Sequence, residues 1–239
     1  MGIRRSTTLT IACVATVAVS GCARTDDGVA VAETTSATAA SSPPSRSSPP
    51  SRSSQPATSD TAQPEPGILP TLQTPVPAGT VTCPLPPDPG AVTEATVADP
   101  QAPRITVALP DGWSVTRGSG DVAATMTGPE AMTATVTIAR TPLEPAAAFR
   151  AHTDGIIESA AVSTVSVLPA ELCEYSGQKL MGAWSDTPDN SVEFRDRVVH
   201  IWTNTANYLV SVHVEAPTGV DALDVAGPRL TGDFEVEIP

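Results

Sequence analysis

Lysine is nearly missing from this chain of 239 residues: Lys179 is the only one, against 12 arginines. The 13 basic residues face 26 acidic ones, for a formal net charge of −13 at pH 7. An excess of that sign repels phosphate backbones and anionic headgroups, which excludes nucleic-acid binding and polybasic docking on a membrane. Aromatic residues are scarce too, and none precedes Trp113. Because aromatics dominate core burial, the folded part lies in the C-terminal portion of the chain. The sequence also lacks Gly-x-Ser-x-Gly, His-Glu-x-x-His, Walker and Gly-x-Gly-x-x-Gly motifs, so the common hydrolase, zinc and nucleotide chemistries have no signature here. No Cys-x-x-Cys occurs, and no apolar run is long enough for a comfortable membrane span.

What is present begins at the N-terminus. Arg4 and Arg5 precede an apolar stretch over residues 9 to 19 that ends in Val19-Ser20-Gly21-Cys22. This is the layout of a secretory signal peptide with a lipoprotein junction, in which small residues present a cysteine thiol for diacylglycerol attachment. The reading predicts a signal peptide over 1–21, lipidation of Cys22, and a mature protein anchored on the extracytoplasmic face of the cell membrane. Two or more acyl chains hold a protein stably, each buried methylene contributing about 0.8 kcal/mol. Arg4 and Arg5 leave with the signal, so eleven basic against 26 acidic residues remain and the mature charge is −15. The lipid, and not charge, is then the membrane contact.

With Cys13 in the signal and Cys22 acylated, Cys83 and Cys173 are left, and an exported chain most simply joins them in a disulfide. Residues 22–80 are rich in Ser, Thr and Pro and contain the tandem hexapeptide Ser41-Ser-Pro-Pro-Ser-Arg46, Ser47-Ser-Pro-Pro-Ser-Arg52. Such a segment cannot bury enough surface to offset its ordering entropy, so a disordered tether is expected. Its ~55 residues would reach about 40 Å as a flexible coil.

Residues 81–239 have the size of one domain. Residues 104–109 and 113–116 alternate on either side of Pro110-Asp111-Gly112 and read as a hairpin, and residues 131–140 as a further strand. Thr141-Pro142-Leu143-Glu144 carries a capping residue and a following proline, opening a helix through about residue 161 whose start Pro145 delays by a turn. Its inner stripe would be Phe149, His152 or Thr153, Ile156 and Ala160. Strands are expected near 164–167, 171–175 and 179–184, with a turn at Ser176-Gly177-Gln178. A long hairpin over 192–203 and 208–215 follows, then a short helix over 220–226 ended by Gly227-Pro228, and a last strand over 233–238. This order predicts an α+β domain built on an antiparallel sheet.

Candidate chemistry is thin. Ser176-Gly-Gln-Lys179 has the Ser-x-x-Lys spacing of penicillin-binding proteins but no Ser-Asp-Asn or Lys-Thr-Gly partner. His200 and His213 could share a face with Asp196 and Glu215, depending on register, though structural histidines are the commoner case. No catalytic residue, cofactor or metal is therefore expected. Trp113, Trp184 and Trp202 are the ligand-binding candidates, since an indole face can stack on a sugar or cover an acyl chain. Core packing is the competing use of each. If Thr203 pairs with Tyr208, Trp202 faces Leu209 away from the principal core and is the first candidate for a ligand wall.

Ile105-Thr-Val-Ala-Leu-Pro-Asp-Gly-Trp113, Arg197-Val-Val-His200, Tyr208-Leu-Val-Ser-Val-His213 and Gly232-Asp-Phe-Glu-Val236 together resemble the LpqN/LpqT-type lipoproteins of mycobacteria and related actinobacteria. The resemblance covers roughly residues 100 to 238 and implies a PsbP-like α/β/α sandwich on an antiparallel sheet. It further implies a non-enzymatic envelope protein, a binding or accessory module in glycolipid handling that works beside a membrane transporter. The alternative is a protein-interaction scaffold that docks an envelope complex or a host protein.

Overall fold

A computed structural model describes residues 66–187 and 190–239. The signal peptide, Cys22 and the tether as far as residue 65 lie outside the described residues. Among the described residues eleven strands and two helices form the domain, in the order β1 (Thr80–Cys83), β2 (Val92–Ala95), β3 (Arg104–Ala108), β4 (Ser114–Arg117), β5 (Val122–Thr127), β6 (Thr133–Thr141), α1 (Pro145–Glu158), β7 (Val162–Pro169), β8 (Ser176–Thr187), β9 (Asn190–Trp202), β10 (Asn207–Pro217), α2 (Leu223–Leu230) and β11 (Glu235–Ile238). All pairings are antiparallel. They give a seven-stranded sheet ordered β4-β5-β6-β10-β9-β8-β7 and a four-stranded sheet ordered β1-β11-β3-β2.

Alternation assigns each side chain of the large sheet to one of two faces. On one face Val136 and Ile138 of β6, Val210, Val212 and Val214 of β10, and Val199 and Ile201 of β9 are buried. They share the main core with Ile105 and Val107 of β3, Val236 of β11 and Leu223 and Leu230 of α2. On the other face α1 lays Phe149 onto Leu180, Phe194 and Val198, with Ile156 and Trp184 at the margin. Helix α1 packs chiefly on β7, β8 and β9, and the β6 and β10 part of this face lies beside it. The architecture is α+β, with a helix on each side of the large antiparallel sheet.

Several expectations are corrected. Residues 104–109 and 113–116 do not form a hairpin: β3 pairs with β2 and β11, whereas β4 pairs with β5 in the other sheet. Gly112, at φ +80°, turns the chain between the sheets, and alternation alone does not reveal which strand is the partner. Thr141 does not cap α1. It remains in the β6–β10 ladder opposite Asn207 and accepts the Leu143 N–H, so the helix starts at Pro145 without a side-chain cap. Ser176 to Gln178 belong to β8, and the turn lies instead at residues 172–175, where Cys173 takes a left-handed φ of +53°. Helix α2 runs through Gly227-Pro228 to Leu230 and is capped by Thr231, whose N–H donates to Gly227 O.

The β9–β10 register is Tyr208 opposite Ile201, two residues from the expected pairing. A shift of two preserves faces, so Trp202 and Leu209 still share one. Cys83 and Cys173 are bonded, with Cα atoms 5.8 Å apart, and join β1 to the β7–β8 turn.

The ordered domain also begins earlier than residue 80. Gly177 N–H donates to Gly67 O at 2.9 Å, and Ile68 packs on the α1-side core. Gly67 is buried at φ +75°, and a Cβ there would overlap the Gly177 carbonyl. Residues 66–79 therefore form a strap on the domain. Their proline content reads as tether, but the partners that hold them are more than a hundred residues away in sequence.

Candidate functional site

The strap crosses the end of the sheet where β8 begins and β9 ends, and a cavity of about 330 Å³ lies beneath it. Thr71, Leu72, Thr74 and Val76 of the strap form one wall. The opposite side is made by Ser176, His200 and Trp202 on the α1 face of the sheet, by Thr82 of β1, Ile238 of β11, and by Glu174, Tyr175 and Asn204 in the adjoining turns. The volume falls at the lower end of small-molecule sites. Apolar side chains and hydroxyls both line it, and among the described residues Glu174 is its only carboxylate and no lysine or arginine reaches it. His200 donates from Nε2 to Leu143 O at 3.0 Å, leaving its buried Nδ1 without a partner. Burial pushes the His200 imidazole below its ordinary range, so it is neutral at pH 7. The cavity thus suits an uncharged ligand with both an apolar part and hydroxyls.

A second, more open groove of about 550 Å³ lies between α1 and the β6 and β10 part of the same face. Trp184, Ile156 and Gly155 line it beside Thr135, Thr137 and Ser211. At its base Asp196, with a fully buried side chain, accepts from two imidazoles through Oδ2: His213 Nδ1 at 3.0 Å and His152 Nε2 at 3.1 Å. The other nitrogen of His213 faces Glu215 Oε2 at 3.6 Å, and its ring stacks on Phe194 with centroids 5.4 Å apart. Burial alone would raise the Asp196 carboxyl, yet the donors on His152 and His213 outweigh it and hold it below its usual range. Burial likewise opposes charge on His213, but the carboxylates of Asp196 and Glu215 overcome it and push the imidazole up to about 9. His213 is therefore an imidazolium at neutral pH, with both N–H groups directed at carboxylates.

That arrangement has a sign that can be measured. A histidine whose folded value is about 9, against an ordinary 6.5, contributes stability that is fully present below pH 6.5 and is lost as pH rises through 9. About 3 kcal/mol should disappear over that interval. Urea denaturation between pH 6 and 10 should show the decline, and His213→Gln should flatten it; an equally steep profile in that variant would contradict the assignment.

The sequence candidates are thus dispersed. Trp202 walls the cavity and Trp184 the groove, whereas Trp113 is 8% exposed, packs in the main core against Gly128, and is not a ligand wall. Ser176 and Lys179 sit three apart on a strand and so point to opposite faces, which keeps the Ser-x-x-Lys pair from assembling. Ser176 instead binds the strap backbone at Leu69. Asp196, His213 and Glu215 do meet, but His200 is engaged elsewhere, and among the described residues no group of three could hold a metal ion. His152, expected only as a stripe residue of α1, joins this group through Asp196. Its place one turn from Phe149 on the inner stripe of α1 was the available signal.

The fold defines an α+β domain whose large antiparallel sheet carries a helix on each side. Solved structures of similar fold include LpqN of Mycobacterium tuberculosis, described as involved in cell envelope biogenesis, at 17% identity, TM-score 0.49, covering 62% of this chain and 91% of that one. The cyanobacterial PsbP of Synechocystis sp. PCC 6803 is similar at 10% identity, TM-score 0.40, covering 60% and 91%. No protein-family model and no curated protein sequence matches the chain.

Proposed function

We propose that this chain is a non-enzymatic, lipid-anchored envelope protein whose domain holds an uncharged amphiphile of the glycolipid class in the cavity beneath the strap. The observation that carries the reading is the cavity itself, with the indole of Trp202, Leu72, Val76 and Ile238 among its apolar walls and the hydroxyls of Thr71 and Thr74 beside them. The missing lysine and arginine disfavour an anionic headgroup. Among the described residues no helix is long and apolar enough to cross a membrane. The Val19-Ser20-Gly21-Cys22 junction supports lipidation at Cys22 as the anchor. Held there, the domain would act as an accessory to a membrane transporter of such lipids.

Mature protein purified from an actinobacterial host should carry an uncharged glycolipid detectable by mass spectrometry. Trp202→Ala should weaken its rebinding to the delipidated protein by about ten- to a hundredfold, the loss expected for one large apolar side chain. No recovered lipid, and no rebinding of extracted envelope glycolipids, would favour the scaffold reading. That alternative draws on the outer edge of β7, where Val162 is 66% and Leu168 46% exposed and no strand among the described residues pairs beyond.

A further inference from the structure

The strap is held at two places and free between them. At one end Ser176 Oγ accepts the Leu69 N–H at 2.9 Å and donates back to Leu69 O at 3.1 Å, while Gln178 Nε2 donates to Pro66 O at 2.9 Å. At the other end Asn204 repeats the device: its Oδ1 accepts the Val76 N–H at 3.0 Å and its Nδ2 donates to Val76 O at 2.8 Å. Ile68 and Val76 add apolar footing, the first on the α1-side core and the second on the main core. From Pro70 to Pro75 no hydrogen bond ties the chain to the rest of the described residues. This arch nonetheless supplies Thr71, Leu72 and Thr74 to the cavity wall, and Leu72 is left 59% exposed above it.

A large apolar side chain standing in water at the mouth of a partly apolar cavity gains most by closing on something apolar. Proline at both ends of the arch fixes φ there, so residues 70–75 have stiff ends and two defined hinges. The clamps grip backbone atoms only, which leaves the arch side chains free to face a ligand.

We propose that residues 70–75 are a lid over the Trp202 cavity, hinged at the Ser176 and Asn204 clamps, and that Leu72 closes on the alkyl portion of a bound amphiphile. The inference rests on the binding reading given above. It makes Leu72 a ligand-contacting residue, and it makes the segment leading to the membrane tether part of the site.

The test uses the mature chain and n-dodecyl-β-maltoside, an uncharged alkyl sugar, below its micellar concentration. Amides of Thr71, Leu72, Gln73 and Thr74 should exchange rapidly in the free protein, and saturation should slow them at least tenfold in millisecond hydrogen exchange. Leu72→Ser should weaken binding about tenfold, through faster release, with the melting temperature unchanged. Asn204→Ala should speed both association and release. If exchange over residues 71–74 is the same with the cavity filled, while Trp202→Ala abolishes binding, the lid is wrong and the cavity reading survives. If neither the maltoside nor extracted envelope lipids bind at all, the binding reading fails and the lid falls with it.

Discussion

Replacing Asp196 by alanine is expected to destabilise the domain by about 3–5 kcal/mol at pH 7, the loss that follows when one partner of a buried charge pair is removed. The side chain is fully buried, and both of its recorded partners are histidines on different elements, His152 on α1 and His213 on β10. Without the carboxylate, the His213 imidazolium keeps only the longer contact to Glu215 at 3.6 Å, and α1 loses this polar link to the sheet. Asp196→Asn keeps the shape and one acceptor and should cost less. Urea unfolding of both variants, with His152→Gln as a third arm, measures this directly. A change below about 1 kcal/mol for Asp196→Ala would contradict the assignment of a buried carboxylate paired with a charged His213.

The second large effect concerns the covalent link. Cys83→Ala/Cys173→Ala is expected to cost about 2–5 kcal/mol, since the bond spans 90 residues and chain entropy for such a loop corresponds to ~4–5 kcal/mol. For a domain of this size the melting temperature should fall by roughly 10 °C. The bond fixes β1 to the turn that carries Glu174 and Tyr175, and the Tyr175 hydroxyl lies 2.7 Å from Thr82 Oγ1 across that junction. The double variant should therefore also loosen one wall of the cavity and weaken ligand binding, measurable by calorimetry on protein that is still folded by circular dichroism. A melting temperature unchanged from the wild type would show that the reduced chain is restrained by other contacts.

The fold class was legible because its strongest signals are local. Tyr208, Val210, Val212 and Val214 alternate cleanly, Pro145 marks the first turn of α1, and Cys83 and Cys173 form the expected pair. Pairing across the domain was not legible. Nothing in the alternation of residues 113–116 says that they join β5 rather than β3, and the short strands β1 and β2 lie among prolines that read as loop. The strap shows the same limit most clearly. Its sequence is tether-like, and it is ordered by Ser176, Gln178 and Asn204, residues that a linear reading has no reason to connect with it. Trp202 was picked out by the face it occupies, and a two-residue error in register left that face intact. The polar role of His152 is not legible in the sequence, because an isolated histidine on a helix acquires meaning only when a buried carboxylate is placed opposite.

The central claim is that the cavity beside Trp202 receives an uncharged amphiphile, and the indole N–H signals of the three tryptophans report on it separately by NMR. Titrating n-dodecyl-β-maltoside below its micellar concentration into the delipidated mature protein should shift the Trp202 signal saturably while leaving the core residue Trp113 in place. A Trp202 signal that does not move, or a saturable shift confined to Trp184 in the other groove, would contradict the account.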